Sequence, residues 1–113
     1  MILRRPLLKL VLALAFAGLA SWAGATLAQA EEVTVKIENF TFNPAEITIK
    51  PGTTVTWENA DDIPHSIVEN AAKFRSQPLD TGDKFTMTFN DTGEVAYYCG
   101  FHSHMQGKII VKN

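Results

Sequence analysis

Glu94-Val95-Ala96-Tyr97-Tyr98-Cys99, continuing as Gly100-Phe101-His102-Ser103-His104-Met105, is the stretch that decides how this chain is read. Its first half has the period-two pattern of a strand, which sends Val95, Tyr97 and Cys99 to one face and Ala96 and Tyr98 to the other. With Val95 and Tyr97 in a core, Cys99 ends the strand pointing inward at a rim. The second half places His102 three residues after Cys99, and Met105 three after that. Three residues of extended chain reach about 10 Å. A compact turn instead gathers them on one side, where a single metal ion can collect a thiolate, an imidazole and a thioether.

Outward from this stretch the same period recurs. Val33, Val35 and Ile37 alternate with polar residues, as do Ile47 and Ile49, then Val55 and Trp57. Phe85, Met87 and Phe89 repeat the pattern, and Ile109 and Val111 close the chain. Alternation of β-branched and aromatic residues means half-buried strands. Asn43-Pro44, Pro51-Gly52 and Asn90-Asp91-Thr92-Gly93 supply turn chemistry between them. Short strands at this spacing predict an all-β domain, an antiparallel sandwich or barrel. Trp57, Phe40, Phe42, Phe85 and Phe89 read as its core, and Asn59 to Thr81 as an irregular segment.

The chain has one cysteine and three histidines. His65, in the loop Asp61-Asp62-Ile63-Pro64-His65-Ser66, is available as a fourth ligand across the rim. Read one at a time, these residues are ordinary: a lone Cys is often a small buried hydrophobe, Met is core filler, and a loop His is solvated. Read together, one thiolate, two imidazoles and a weak thioether match blue copper, since thiolate and thioether suit Cu(I) and imidazole suits copper generally. Zinc gains little from a thioether, and structural zinc sites use Cys and His. A free thiol in an exported chain also calls for a reason.

Export is what the first thirty residues predict. Arg4, Arg5 and Lys9 precede an apolar stretch from Leu10 to Ala20, and Ala28-Gln29-Ala30 is a small-x-small cleavage site, the order of a secretory signal peptide. Leu10 to Leu27 is 18 residues, near the roughly 20 of a membrane span, so a retained anchor is the alternative. Gly18, Ser21, Gly24 and Thr26 dilute its second half. Arg4-Arg5-Pro6-Leu7-Leu8-Lys9 resembles a twin-arginine signal without the usual Ser or Thr before the arginines. Either route leads out of a bacterial cytoplasm. Cleavage after Ala30 leaves Glu31 to Asn113 as one domain. Lys plus Arg then falls from 10 to 7 against 12 Asp plus Glu, a net charge of −5. That charge argues against nucleic acid or an anionic membrane surface as partner. So short a chain buries only about 60% of its unfolded surface. With no cysteine pair to cross-link it, a metal site is another means of support.

Thr54-Val55-Thr56-Trp57-Glu58-Asn59, Ile63-Pro64-His65-Ser66, Gly93 through Met105, and Gly107-Lys108-Ile109-Ile110-Val111 resemble the cupredoxins over essentially the whole of residues 31–113. The short C-x2-H-x2-M loop is similar to that of the amicyanin group; plastocyanins and pseudoazurins carry two more residues before the Met. The resemblance implies a Greek-key β-sandwich with copper near one end. It implies His65, Cys99, His102 and Met105 as ligands, His102 nearest the surface, and outer-sphere electron transfer through that histidine's edge. In several places the chain departs from the family. Ser66 stands where an Asn commonly ties the two ligand loops together, and its shorter side chain is expected to fall short. Gly100, Phe101 and Ser103 replace a proline-bearing loop. Val95 replaces a tyrosine. His104 stands where the amicyanin group has an aromatic and reads as a solvated loop imidazole, with partner contact or alternative ligation as other roles.

Phe101 divides between core and an exposed docking patch. Tyr98 resembles the docking tyrosine of plastocyanins, although outward tyrosines are common in sheets. The acidic cluster Glu58, Asp61 and Asp62 reads as a solvated loop, with steering of a basic partner as the alternative. The function expected is periplasmic one-electron carriage by a monomer between redox proteins, such as a c-type cytochrome or a periplasmic oxidoreductase. Copper storage or delivery with the same ligands is the rival. An enzyme would need a second metal centre, and one site uses up the ligands. Mass spectrometry of the exported protein should find Glu31 as its first residue; a membrane-bound product retaining Leu10 to Leu27 would favour the anchor.

Overall fold

The computed structural model describes residues 31–113, so the export signal expected at 1–30 lies outside the described residues. Among the described residues the elements are β1 (Glu32–Glu38), β2 (Thr41–Asn43), β3 (Glu46–Ile49), β4 (Thr53–Asn59), β5 (Val68–Glu69), β6 (Lys84–Phe89), β7 (Gly93–Tyr98) and β8 (Gln106–Val111). They form two four-stranded sheets, ordered β2-β1-β4-β6 and β3-β8-β7-β5. No helix among these residues is long and apolar enough to cross a membrane.

Alternation in the sequence becomes burial in the sandwich. β4 buries Thr53, Val55, Trp57 and Asn59 and leaves the residues between them half-exposed. Facing it from the second sheet are Ile49, Tyr97, Ile109 and Val111, all buried. Trp57 is fully enclosed, its ring edge-on to Tyr97 at 5.4 Å and tilted against Phe85 at 5.7 Å. Burying roughly 200 Å² of such a ring is worth about 5 kcal/mol before the entropy of ordering it. On the outer face of the first sheet, Thr54 pairs with Thr88 and Thr56 with Thr86 through their hydroxyls. Gly107 lies opposite Tyr97 in the β7–β8 ladder, and any Cβ there would overlap the Tyr97 ring.

Two expectations change. The sheets are not purely antiparallel: β1 runs parallel to β4 and β3 parallel to β8. The chain leaves the first sheet between β2 and β3 and returns before β4. This Greek-key crossing brings β1 and β4 side by side in the same direction. Phe40 is not core but 46% exposed, because it sits in the β1–β2 turn rather than on a strand. That turn, the loop carrying His65 and the β7–β8 loop meet at one end of the sandwich, where the Phe40 ring touches both His65 and His102.

Candidate metal centre

The β7–β8 loop is two tight turns in succession. The Cys99 N–H donates to the Met105 carbonyl at 3.0 Å, carrying the ladder one step past the Tyr98–Gln106 pair. Inside that closure the His102 N–H donates to the Cys99 carbonyl at 3.2 Å, and the Met105 N–H to the His102 carbonyl at 2.9 Å. Each is the i to i+3 bond of a turn. The C-x2-H-x2-M spacing is thus the repeat of that bond, and it sets the three ligand-type residues at successive turn corners.

His65 arrives from the long β4–β5 segment, held on both sides. Its N–H donates to the Leu79 carbonyl at 3.1 Å, and the Leu79 N–H returns to the His65 carbonyl at 2.7 Å. The wholly buried Asn59 donates its amide to the carbonyls of Ile63 (2.9 Å) and Leu79 (2.7 Å) and accepts from the Asp61 N–H at 2.9 Å. Beyond His65 the chain pairs with the cysteine strand, Val68 opposite Tyr98. Continued back by two residues, that register sets Ser66 opposite Gly100, and the Gly100 N–H donates to Ser66 Oγ at 3.0 Å. The expectation that Ser66 falls short is therefore corrected. Gly100 brings its backbone so close that a Cβ there would meet Ser66 Oγ at 2.6 Å, and the short hydroxyl spans the gap.

These supports converge three donor atoms. Cys99 Sγ lies 3.6 Å from His65 Nδ1 and 3.9 Å from His102 Nδ1, and the ligand atoms of the three residues all lie within 4.8 Å of one another. A metal about 2.3 Å from sulfur and about 2.0 Å from nitrogen gives the two sulfur–nitrogen separations at angles of roughly 110° to 130°, so each imidazole is placed to share one ion with the thiolate. The chemistry of the set fits as well. His65 Nε2 stands 2.8 Å from Asp61 Oδ2. Donating a proton there leaves Nδ1 as a bare lone pair aimed at the sulfur. One cation can take the thiolate and both imidazoles as donors at once. His65 and Cys99 are fully buried, Met105 is buried, and His102 alone of the four reaches the surface.

A model of the cupredoxin-like domain family matches residues 9–111. The chain belongs to that family. It is 34% identical over 88 residues to the amicyanin of Paracoccus versutus, covering 74% of this chain and 67% of that one. Among solved structures, a purple cupredoxin from Nitrosopumilus maritimus superposes with a TM-score of 0.65 at 34% identity, over 71% of this chain and 99% of that one. A copper-containing nitrite reductase from Thermus scotoductus superposes at 0.70 with 29% identity, over 80% of this chain and 24% of that much longer one.

As a cupredoxin the protein takes copper as its cofactor, which agrees with the donor triangle. Two neighbours of the site went unrecognised in the sequence. Asp61 is not merely solvated: its carboxylate accepts from His65, from the Asn39 N–H at 2.7 Å and from the Phe40 N–H at 3.1 Å. Burial of that carboxyl opposes its ionisation, but the hydrogen bonds from Phe40, His65 and Asn39 outweigh this and hold its pKa below the ordinary aspartate value. The only available signal was a carboxylate four residues before a candidate ligand His. Phe40 had none, since a turn aromatic reads as core. His104 is exposed, its ring 6.2 Å from that of His102, and outside the donor triangle. Phe101 is 54% exposed, which answers the choice between core and surface.

Ser66→Ala removes the acceptor that joins the two ligand loops. Because Gly100 is exposed and water can replace the bond, the expected loss is about 1 kcal/mol, read as a lower urea midpoint with unchanged slope. An unchanged midpoint would show that the Gly100 contact does not hold the loops together.

Proposed function

We propose that this protein is an exported one-electron carrier whose copper is held by His65, Cys99, His102 and Met105. The observation that carries the reading is the convergence of His65 Nδ1 and His102 Nδ1 on Cys99 Sγ, with only His102 open to the surface. Copper supplies the electron store by alternating between Cu(I) and Cu(II). The chain does the rest. Ladder bonds on both sides of Cys99 hold the donors in one arrangement, so a change of charge demands little movement. Buried His65 and Cys99 keep water from the thiolate. Half-exposed His102, with the Phe40 ring edge-on to it and the exposed Phe101 next to it in the chain, offers a partner an apolar contact at the point where electrons leave.

The partner class is a soluble redox protein, such as a c-type cytochrome or a periplasmic oxidoreductase, met by a monomer in the periplasm. Residues 1–30 serve as the export signal and 31–113 as the working domain. Delivery of copper is disfavoured, because a receiving protein needs access to ligands and three of these four are sealed. Catalysis is disfavoured too. An oxidase or reductase would need a second metal centre, and one site uses up the cysteine and both of the converging histidines.

Voltammetry of the copper-loaded protein should give a reversible one-electron wave, with fast exchange against a c-type cytochrome. Transfer of copper to a chelator faster than transfer of electrons would overturn the carrier reading. A thioether donates little to Cu(II), so Met105→Leu should keep copper and raise the potential, its apolar side chain disfavouring the higher charge. Complete loss of copper in that variant would contradict the role of Met105 as the weakest of the four donors.

A further inference from the structure

Asn39 and Phe40, consecutive non-glycine residues, both adopt the left-handed conformation, with φ of 54° and 59°. Such a conformation costs roughly 1–2 kcal/mol per residue and persists only where the surroundings impose it. Burial of Phe40 does not impose it, since the ring remains 46% exposed. The Asp61 carboxylate does: Oδ1 accepts from the Asn39 N–H at 2.7 Å and Oδ2 from the Phe40 N–H at 3.1 Å. The same Oδ2 lies 2.8 Å from His65 Nε2, and the Asp61 side chain is only 13% exposed. The turn held in this way sets the Phe40 ring edge-on to both imidazoles, 5.6 Å from His65 at 88° and 5.1 Å from His102 at 89°.

We propose that Asp61 and Phe40 act as one positioning unit for the metal centre: Asp61 ties His65 to the strained β1–β2 turn, and the turn presses Phe40 against His102 to restrain the exposed ligand. This rests on the ligand set proposed above. Asp61 acts on His65 by charge. An anionic acceptor on Nε2–H makes the imidazole more basic and favours Cu(II) over Cu(I). Phe40 acts on His102 by occupying the space into which its ring would swing.

The test uses copper-loaded wild type, Asp61→Asn, Asp61→Glu, Phe40→Ala and the double variant Asp61→Asn/Phe40→Ala. Asn keeps the size of Asp but offers one acceptor oxygen to three donors. Cu(II) affinity should fall about 10–100-fold, as for loss of a hydrogen-bond partner of a metal-bound histidine, and Cu(I) affinity less. Each tenfold difference between those losses raises the potential by about 59 mV. Asp61→Glu, which keeps the charge, should recover part of that shift. Phe40→Ala removes an exposed ring and leaves the fold intact. It should speed copper release to a chelator several-fold, and the double variant should release copper more slowly than the product of the two single effects, because losing the Asp61 carboxylate already frees the turn that carries Phe40; fully multiplicative effects would show that the two residues do not form one unit. A wild-type potential in Asp61→Asn, or an unchanged release rate in Phe40→Ala, would overturn the proposal. If Asp61→Asn does not fold, the release rate of Phe40→Ala alone decides. Failure of the wild type itself to take up copper would instead sink the ligand set.

Discussion

Three lone-pair donors that would each be better solvated apart are held within a few ångströms of one another, and the rest of the molecule is arranged around that constraint. His65 and Cys99 are 34 residues apart in sequence, yet Nδ1 and Sγ stand 3.6 Å apart. Two hydrogen-bond ladders meet at Cys99 to achieve this. On one side β8 pairs with β7 as far as Met105; on the other β5 pairs with β7, and Ser66 extends that pairing to Gly100. Because both ladders belong to the one sheet that packs against Trp57 of the other, moving one of these donors means shearing that sheet. The placement of these donors is therefore held by the fold's own hydrogen bonds.

The same constraint explains how a domain this small persists. It has no disulfide, as its one cysteine is free and buried, and it buries a modest fraction of its unfolded surface. An ion bound only by the folded chain adds stability in proportion to the logarithm of its concentration over its dissociation constant. Rigidity and function thus have one source: an arrangement that fits one ion and cannot readily relax is also one in which a change of charge moves few atoms.

Much of this was readable in the residues and some was not, for physical reasons. β1, β3, β4, β6, β7 and β8 announce themselves because alternation over several residues has few other meanings, and Cys99, His102 and Met105 because their spacing is the repeat of a turn. β2 and β5 escape notice, since three and two residues are too short for a period to register. The parallel pairs are invisible in sequence, because direction depends on where the chain changes sheets. Ser66 was misjudged on side-chain length, when what mattered was the closeness of the Gly100 backbone, which a missing Cβ permits. Asp61 and Phe40 were misread because composition treats a loop acid as solvated and a phenylalanine as core. Their roles exist only once the β1–β2 turn and the His65 loop are brought to the same end.

The central claim is that the buried thiolate and two imidazoles bind one copper ion together. The most direct measurement is the visible absorption spectrum during titration of purified, metal-free protein with Cu(II), beside Cys99→Ala. The account predicts an intense thiolate-to-copper band that saturates at one equivalent in the native protein and is absent from the variant. A native protein that stays colourless, binds one zinc tightly and takes up no copper would contradict it.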